Sequence, residues 1–236
     1  MTPEIQNSGT YFYVREMRYS NGSTLCTARS SSVSVTVVSL SPGSIGAANT
    51  TICLGDPVTV NSTTDASANT EAVSYLWQQA GVSGVFTNVT SGTYTSSVLS
   101  LAANTVTQTT QYKRLAYSAT SSPSTEASNV VTINVNRFPN ATVGIAFANG
   151  STDEAFICPG GDPITFLDTS SGYPSGTSIT HQWQEKRSDG SSFATTWTNI
   201  AGANSATYNP PPVSSSVYYR RLTTSTLNGV ACTTKA

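Results

Sequence analysis

The chain has 236 residues, and only 10% of them are charged, against about a quarter in a typical globular protein. The formal net charge is −1, so no basic surface gathers phosphates, and nucleic-acid binding lacks its electrostatic footprint. No apolar run approaches the roughly 18 residues that cross a bilayer. The 37% hydrophobic content, with 11 Tyr, 7 Phe and 3 Trp, is too rich in core material for a disordered chain.

In chain order, Met1 is followed by Thr2-Pro3-Glu4, without the basic start or apolar stretch of a signal peptide. Ser and Thr supply 73 residues, a composition suited to export. The expectation is that Met1 is foreign to the natural chain, or that the chain is a stretch of a longer one. The first strand-like run is Phe12-Tyr13-Val14-Arg15-Glu16. Cys26 follows Arg15 by 11 residues, and Val33-Ser34-Val35-Thr36-Val37-Val38 then alternates with the period of a half-buried strand. Next come Val58-Thr59-Val60, Ser74-Tyr75-Leu76-Trp77, Thr93-Tyr94, Val98-Leu99-Ser100-Leu101, Tyr112-Lys113-Arg114-Leu115 and Val130–Val135. Val, Ile, Thr and Tyr favour a pleated surface, and no segment carries a helical period long enough to count.

These runs recur. Ile52-Cys53-Leu54-Gly55-Asp56-Pro57-Val58 returns from Ile157-Cys158, and Tyr75-Leu76-Trp77-Gln78 returns as His181-Gln182-Trp183-Gln184. Phe86-Thr87-Asn88-Val89 returns as Trp197-Thr198-Asn199-Ile200, and Gln111-Tyr112-Lys113-Arg114 as Tyr218-Tyr219-Arg220-Arg221. The offsets are 105, 106, 111 and 107 residues, which places insertions in loops between fixed strands. Tyr13-Val14-Arg15 is a third copy of the Tyr-x-Arg motif. The chain parses as residues 1–38, the closing strands of one repeat; 39–136, a complete repeat; and 137–236, a repeat that stops before its last strand. A unit of about 100 residues with about seven short strands and one central Trp reads as a Greek-key sandwich. The fold class is all-β, in tandem sandwich domains.

The landmark order resembles an immunoglobulin domain, with Tyr112 and Tyr219 where that fold places its corner tyrosine. The cysteine usual two residues later is replaced by Arg114 and Arg221. The wording Trp-Gln, then Thr-Asn-Ile/Val, then Gly202-Ala203-Asn204-Ser205-Ala206-Thr207-Tyr208, then Tyr-Tyr-Arg-Arg is similar to the Ig-like repeats of giant Bacteroidota surface proteins, the gliding-motility adhesins of the SprB type among them. That resemblance implies export to the cell surface, at the outer membrane of a Gram-negative bacterium, and a stalk or adhesive role. Expected partners are neighbouring repeats and a surface glycan or substratum ligand. The alternatives are a carbohydrate-binding or accessory module of a secreted enzyme, and a subunit of a surface filament.

Trp77 and Trp183 fall where a sandwich core requires them, so they are expected to pack rather than to stack on a ligand. Trp197 replaces Phe86 and is read the same way. Asp153, Glu154, Asp162 and Asp168 lack calcium-loop spacing and read as a solvated face. His181 is the only histidine, no Gly-x-Ser-x-Gly elbow exists, and the four cysteines form no C-x-x-C pair. No catalytic residue, cofactor or metal is expected, and six Asn-x-Ser/Thr sequons are an expected by-product of composition: Asn21, Asn49, Asn61, Asn88, Asn140 and Asn149. Linkers such as Arg137-Phe138-Pro139 would limit bending between repeats.

Three structural expectations follow. Cys158 and Cys232 should form a disulfide inside the third repeat, closing a loop of about 74 residues worth roughly 4 kcal/mol. Cys26 would pair upstream, and Cys53 would lack a partner, because Thr125 stands 11 residues after Arg114. Arg114 and Arg221 lie two residues after Tyr112 and Tyr219, on the same face. Either they point inward, with stems near Trp77 and Trp183 and heads on a carboxylate, carbonyl or ring, or they point out to water. Finally, the Tyr218–Thr223 strand should form an open edge to which Ser32–Val38 of a second molecule could add, a head-to-tail self-association.

Overall fold

The computed structural model describes residues 8–37, 39–68, 71–81, 84–92, 95–118, 126–137, 145–147, 155–170 and 175–235. Every regular element among them is a β-strand. Backbone contacts divide the chain into two compact units: Met1–Ala48, Thr59–Ser100 and Gln111–Val131 in one, and Asn49–Val58, Leu101–Thr110 and Thr132–Ala236 in the other.

The N-terminal segment is a hairpin in two ladders. Gly9–Tyr13 pairs antiparallel with Val33–Val37, and Glu16–Asn21 with Thr24–Arg29. Ser30 N donates to Arg15 O at 2.9 Å where the ladders meet. The turn is the two residues Gly22-Ser23, with Gly22 at φ 65°, as a two-residue hairpin loop requires. Phe12, Tyr19, Leu25 and Val33 are all exposed on this ribbon.

In the second repeat, one sheet runs in the order Thr87–Asn88, Val73–Ala80, Thr110–Ser118, Val131–Asn136, Thr51–Cys53. Its last pairing is parallel, with Asn136 opposite Cys53. The other sheet is Leu99–Leu101, Val58–Thr64, Ser44–Gly46. Alternation decides what is inside: along Thr110–Ser118 the residues Thr110, Tyr112, Arg114, Ala116 and Ser118 are buried, and those between are half-buried. Trp77, Val60, Leu99 and Ile133 have no measurable exposure.

The third repeat carries the sheet Thr198–Asn199, Ser178–Arg187, Val217–Leu227, Val230–Lys235, and a separate pair, Ile145–Phe147 with Phe166–Asp168. The tandem units are Ig-like β-sandwiches. The expected open edge is narrower than the sequence implied. Val230–Lys235 folds back through the turn Asn228-Gly229 and pairs from Leu227 to Leu222, so only Val217–Arg221 lacks a strand on that side among the described residues. Asn228 and Gly229 both have positive φ, 47° and 81°, the geometry of a tight hairpin turn that matches strand twist. Thr93-Tyr94 and the linker residues Phe138-Pro139 lie outside the described residues.

Candidate functional site

Each sandwich is organised around a Trp–Arg clasp. Trp77 and Arg114 are directly opposite across the ladder, as are Trp183 and Arg221. All four side chains are fully buried. Trp77 Nε1 donates to Ser96 O at 2.9 Å and Arg114 Nη1 to the next carbonyl, Ser97 O, also at 2.9 Å. In the third repeat Trp183 Nε1 donates to Ser205 O at 2.8 Å and Arg221 Nη1 to Ala206 O at 2.5 Å. Consecutive carbonyls of one loop therefore serve the indole and the guanidinium in both copies. The loop is Ser96-Ser97 in the second repeat and Ser205-Ala206 in the third, so what recurs with the Trp and the Arg is a pair of adjacent inward carbonyls. The guanidinium faces also lie 6.0 and 5.8 Å from the indoles.

The two arginines differ in how their charge is met. Arg114 Nη2 donates to Pro42 O at 3.0 Å and Thr64 O at 3.4 Å, and Nη1 also reaches Ser62 Oγ at 3.0 Å. Tyr75 adds a ring face at 4.8 Å. Burial lowers the pKa of this guanidinium, and Tyr75 and Asp65 partly oppose the shift. Gly43 makes the arrangement possible. Its φ is +64°, and a Cβ there would collide with the Thr64 carbonyl, so only glycine lets the Pro42 and Thr64 carbonyls converge. Arg221 instead meets a carboxylate: Nη2 donates to Asp168 Oδ1 at 2.7 Å and to Ser170 Oγ at 2.6 Å, and Nε to Thr223 Oγ1 at 3.2 Å.

The Asp168–Arg221 pair makes the third repeat acid-sensitive. Burial would raise the Asp168 carboxyl, but hydrogen bonds from Ser170 and Arg221 outweigh it, and the net shift is downward. Its contribution is therefore full above about pH 4, the unfolded carboxylate range, and is lost as pH falls through the lower folded value. His181 acts with the same sign. Burial first, then the charge of Arg221, lowers its pKa, with Asp168 opposing. The stability it confers by remaining neutral is full above about pH 6.5 and declines below. The denaturation midpoint of this repeat is expected to be flat between pH 7 and about 8, to fall modestly below about 6.5 and steeply below about 4. Asp168→Ala, which removes the carboxylate that the buried Arg221 Nη2 meets, is expected to cost about 3 kcal/mol at neutral pH and to remove the steep acid limb. Urea titrations monitored by Trp fluorescence across this pH range check both.

Other repeated words have physical counterparts. Gln78 donates to Asn88 at 3.0 Å and Gln184 to Asn199 at 2.6 Å, so the Trp-Gln and Thr-Asn motifs are the two sides of one edge pairing. Val89 N and Ile200 N donate to the Trp77 and Trp183 carbonyls, both at 2.9 Å. Lys113 lies over the Phe86 ring and Arg220 over the Trp197 ring, each at 4.3 Å, so Trp197 packs under a cation as Phe86 does. Tyr112 is buried at 1% exposure. Tyr219 sits between Phe166 at 5.1 Å and Tyr208 at 6.0 Å. Its buried hydroxyl has no partner among the described residues, and burial pushes its pKa up to about 12. A corner tyrosine would donate to backbone, so this is a departure from the immunoglobulin pattern.

The expected Cys158–Cys232 bond does not form. Cys232 bonds Cys53 of the preceding repeat, with Cα atoms 5.7 Å apart, and Cys158 and Cys26 are free and exposed. The partner follows from an interaction that within-repeat spacing does not reveal. Asn136 stands beside Cys53 in the parallel ladder, and Ser225 stands opposite Cys232. Asn136 Nδ2 donates to Ser225 O at 2.9 Å and to Val230 O at 3.3 Å, while Ser225 Oγ donates to Asn136 Oδ1 at 3.0 Å. Asn228 Nδ2 adds a bond to Thr51 Oγ1 at 3.2 Å. This latch, fully buried at Asn136 and Ser225, brings the hairpin carrying Cys232 against the strand carrying Cys53. The only sequence signal was that the opening-strand cysteine occurs in both copies while the hairpin cysteine is missing from the second.

Asp162 joins no cluster: among the described residues no three His, Cys, Asp or Glu side chains group closely enough to hold a metal ion. Asp153, Glu154, Asn140 and Asn149 lie outside the described residues.

No curated protein matches the chain. Among solved structures, the chain is similar to three N-terminal domains of the bacteriophage RB49 highly immunogenic outer capsid protein (Hoc). The TM-score is 0.43 and the identity 11%, over 95% of this chain and 86% of that one. It is also similar to domains A168–A170 of titin, with TM-score 0.38 and 12% identity, over 92% of this chain and 70% of that one. A domain of unknown function, DUF8696, matches at residues 41–137 and again at 148–236, and the chain belongs to that family.

Proposed function

We propose that this chain is a structural and adhesive repeat segment of a large secreted bacterial cell-surface protein, of the kind that gliding-motility adhesins exemplify. The observation that supports the reading most is the Cys53–Cys232 bond with its Asn136–Ser225 latch. Consecutive sandwiches that only had to fold would need no covalent tie. A tie between the opening strand of one copy and the terminal hairpin of the next resists bending and extension of a stalk. Such a bond persists in an oxidising compartment, in keeping with export. The low-charge, hydroxyl-rich surface keeps a long array soluble without strong self-repulsion. Trp77 and Trp183 are fully buried and offer no ring to a sugar, which weakens the carbohydrate-module alternative.

Antibody labelling of intact cells that make the protein tests the reading, together with attachment assays on cells in which the segment is deleted in frame. Surface labelling and loss of attachment are expected. Antigen found only inside the cell or free in the medium, with attachment unchanged, would reject it.

A further inference from the structure

The cysteine pairing occurs once in the chain, but the turn and the hairpin that carry its two cysteines each occur twice, with Tyr19 on the second hairpin where the latch has Ser225. Cys53 and Cys158 open matching turns. Asp56 N donates to Cys53 O at 3.1 Å, and Gly161 N to Cys158 O at 2.8 Å. Gly55 and Gly160, each two residues after the cysteine, have φ of 100° and 79°. Cys232 and Cys26 also match. Cys232 lies opposite Ser225, four residues after Arg221, and Cys26 lies opposite Tyr19, four residues after Arg15. Both hairpins close on two-residue turns, between Leu227 and Val230 in one and Asn21 and Thr24 in the other. One cysteine of each kind is used in the Cys53–Cys232 bond. The remaining two, Cys158 and Cys26, are free and exposed. Their surroundings are uncovered as well. Ile157 is 39% exposed where its equivalent Ile52 is 5% exposed, and Met17, Tyr19 and Leu25 stand out on the hairpin of Cys26.

We propose that Cys158 of one chain bonds Cys26 of a second copy, in the register that Cys53 and Cys232 have within the chain. The Glu16–Arg29 hairpin of the incoming copy takes, on the turn of the third repeat, the place that the Val217–Lys235 hairpin takes on the turn of the second. The contact is head to tail and need not close, so it propagates. Formation requires a disulfide oxidant. The Cys158 thiolate attacks oxidised glutathione and releases one glutathione thiolate. The Cys26 thiolate of the docked copy then attacks the protein-side sulfur of the mixed disulfide and releases the second. Two protein thiols are oxidised and one glutathione disulfide is reduced.

The test uses the intact protein in a glutathione redox buffer, with non-reducing gels and peptide mapping. A ladder of covalent oligomers containing a Cys26–Cys158 peptide is expected. Cys26→Ser and Cys158→Ser variants, mixed, should form a heterodimer about tenfold faster than either variant dimerises alone, because docking raises the effective thiol concentration only for the unlike pair. The Cys53–Cys232 peptide should persist in both variants. Equal dimerisation of each variant alone would overturn the proposal, since it marks indiscriminate thiol oxidation. So would a Cys26–Cys158 peptide confined to monomers, or thiols that stay free at high protein concentration.

Discussion

Replacing both Cys53 and Cys232 by serine is expected to destabilise the unit that contains them by up to about 5 kcal/mol. The chain-entropy estimate for a bond that spans 179 residues gives that figure. The double variant is the proper comparison, because either single variant leaves a reactive unpaired thiol behind. Loss of the bond leaves the Asn136–Ser225 latch to hold the hairpin alone. Those hydrogen bonds are worth about 1 kcal/mol each. Cys158→Ser, at an exposed thiol, should change stability by no more than about 0.5 kcal/mol. Guanidinium denaturation followed by fluorescence of Trp183 and Trp197 separates the cases. A Cys158→Ser effect as large as that of the double variant would contradict the observed pairing. Where more than one transition is seen, each is to be fitted by itself.

Arg114→Ala should lower the stability of the second repeat by about 4 kcal/mol or more. The side chain is fully buried and satisfies Ser62 Oγ and the carbonyls of Ser97, Pro42 and Thr64. Truncation leaves buried acceptors unmet, at about 1–3 kcal/mol each, and opens a cavity beside Trp77. Arg114→Lys should recover less than half, since one ammonium cannot span carbonyls that the planar fork reaches together. Arg114→Met fills the volume but leaves the carbonyls unpaired, so it should resemble alanine more than lysine. The acid dependence is a further discriminator. Arg114 has no carboxylate in salt-bridge contact among the described residues, so the cost of its removal should hardly change below about pH 4. The cost of removing Arg221 should shrink there, as Asp168 becomes protonated in the folded state. Thermal melts of the variants at pH 3.5 and 7 would show the contrast.

Much of this architecture is written in local patterns. The repeat is visible because each sandwich must rebuild the same core: a Trp on one strand, a Tyr-x-Arg on its neighbour, and loops free to vary between them. The two-residue alternation along Thr110–Ser118 is enough to place Tyr112 and Arg114 on one face, since the pleat has that period. What the guanidinium meets there is not local. Its acceptors lie between 17 and 72 residues away for Arg114, and 15 to 53 for the Ala206, Ser170 and Asp168 contacts of Arg221. Two copies of one motif therefore ended with different counter-groups, backbone carbonyls in one and a carboxylate in the other.

The cysteines show the same division more sharply. Sequence alone matched Cys53 with Cys158 and Cys26 with Cys232 as equivalent places in the repeat, and it marked Cys232 as half of a disulfide. It assigned the wrong partner because spacing within a repeat presumes that the bond closes on its own sandwich. A disulfide depends on Cα atoms coming within about 4.4–6.8 Å, whichever repeat supplies them. That proximity was created by Asn136, the last residue of one closing strand, binding Ser225 in the hairpin of the next repeat, 89 positions along the chain. Strand period, core composition and repeat length belong to the sequence, because each is decided by neighbours a few residues apart. The pairing of Cys53 with Cys232 belongs to the tertiary structure, because it depends on segments far apart in the chain packing together within one compact unit.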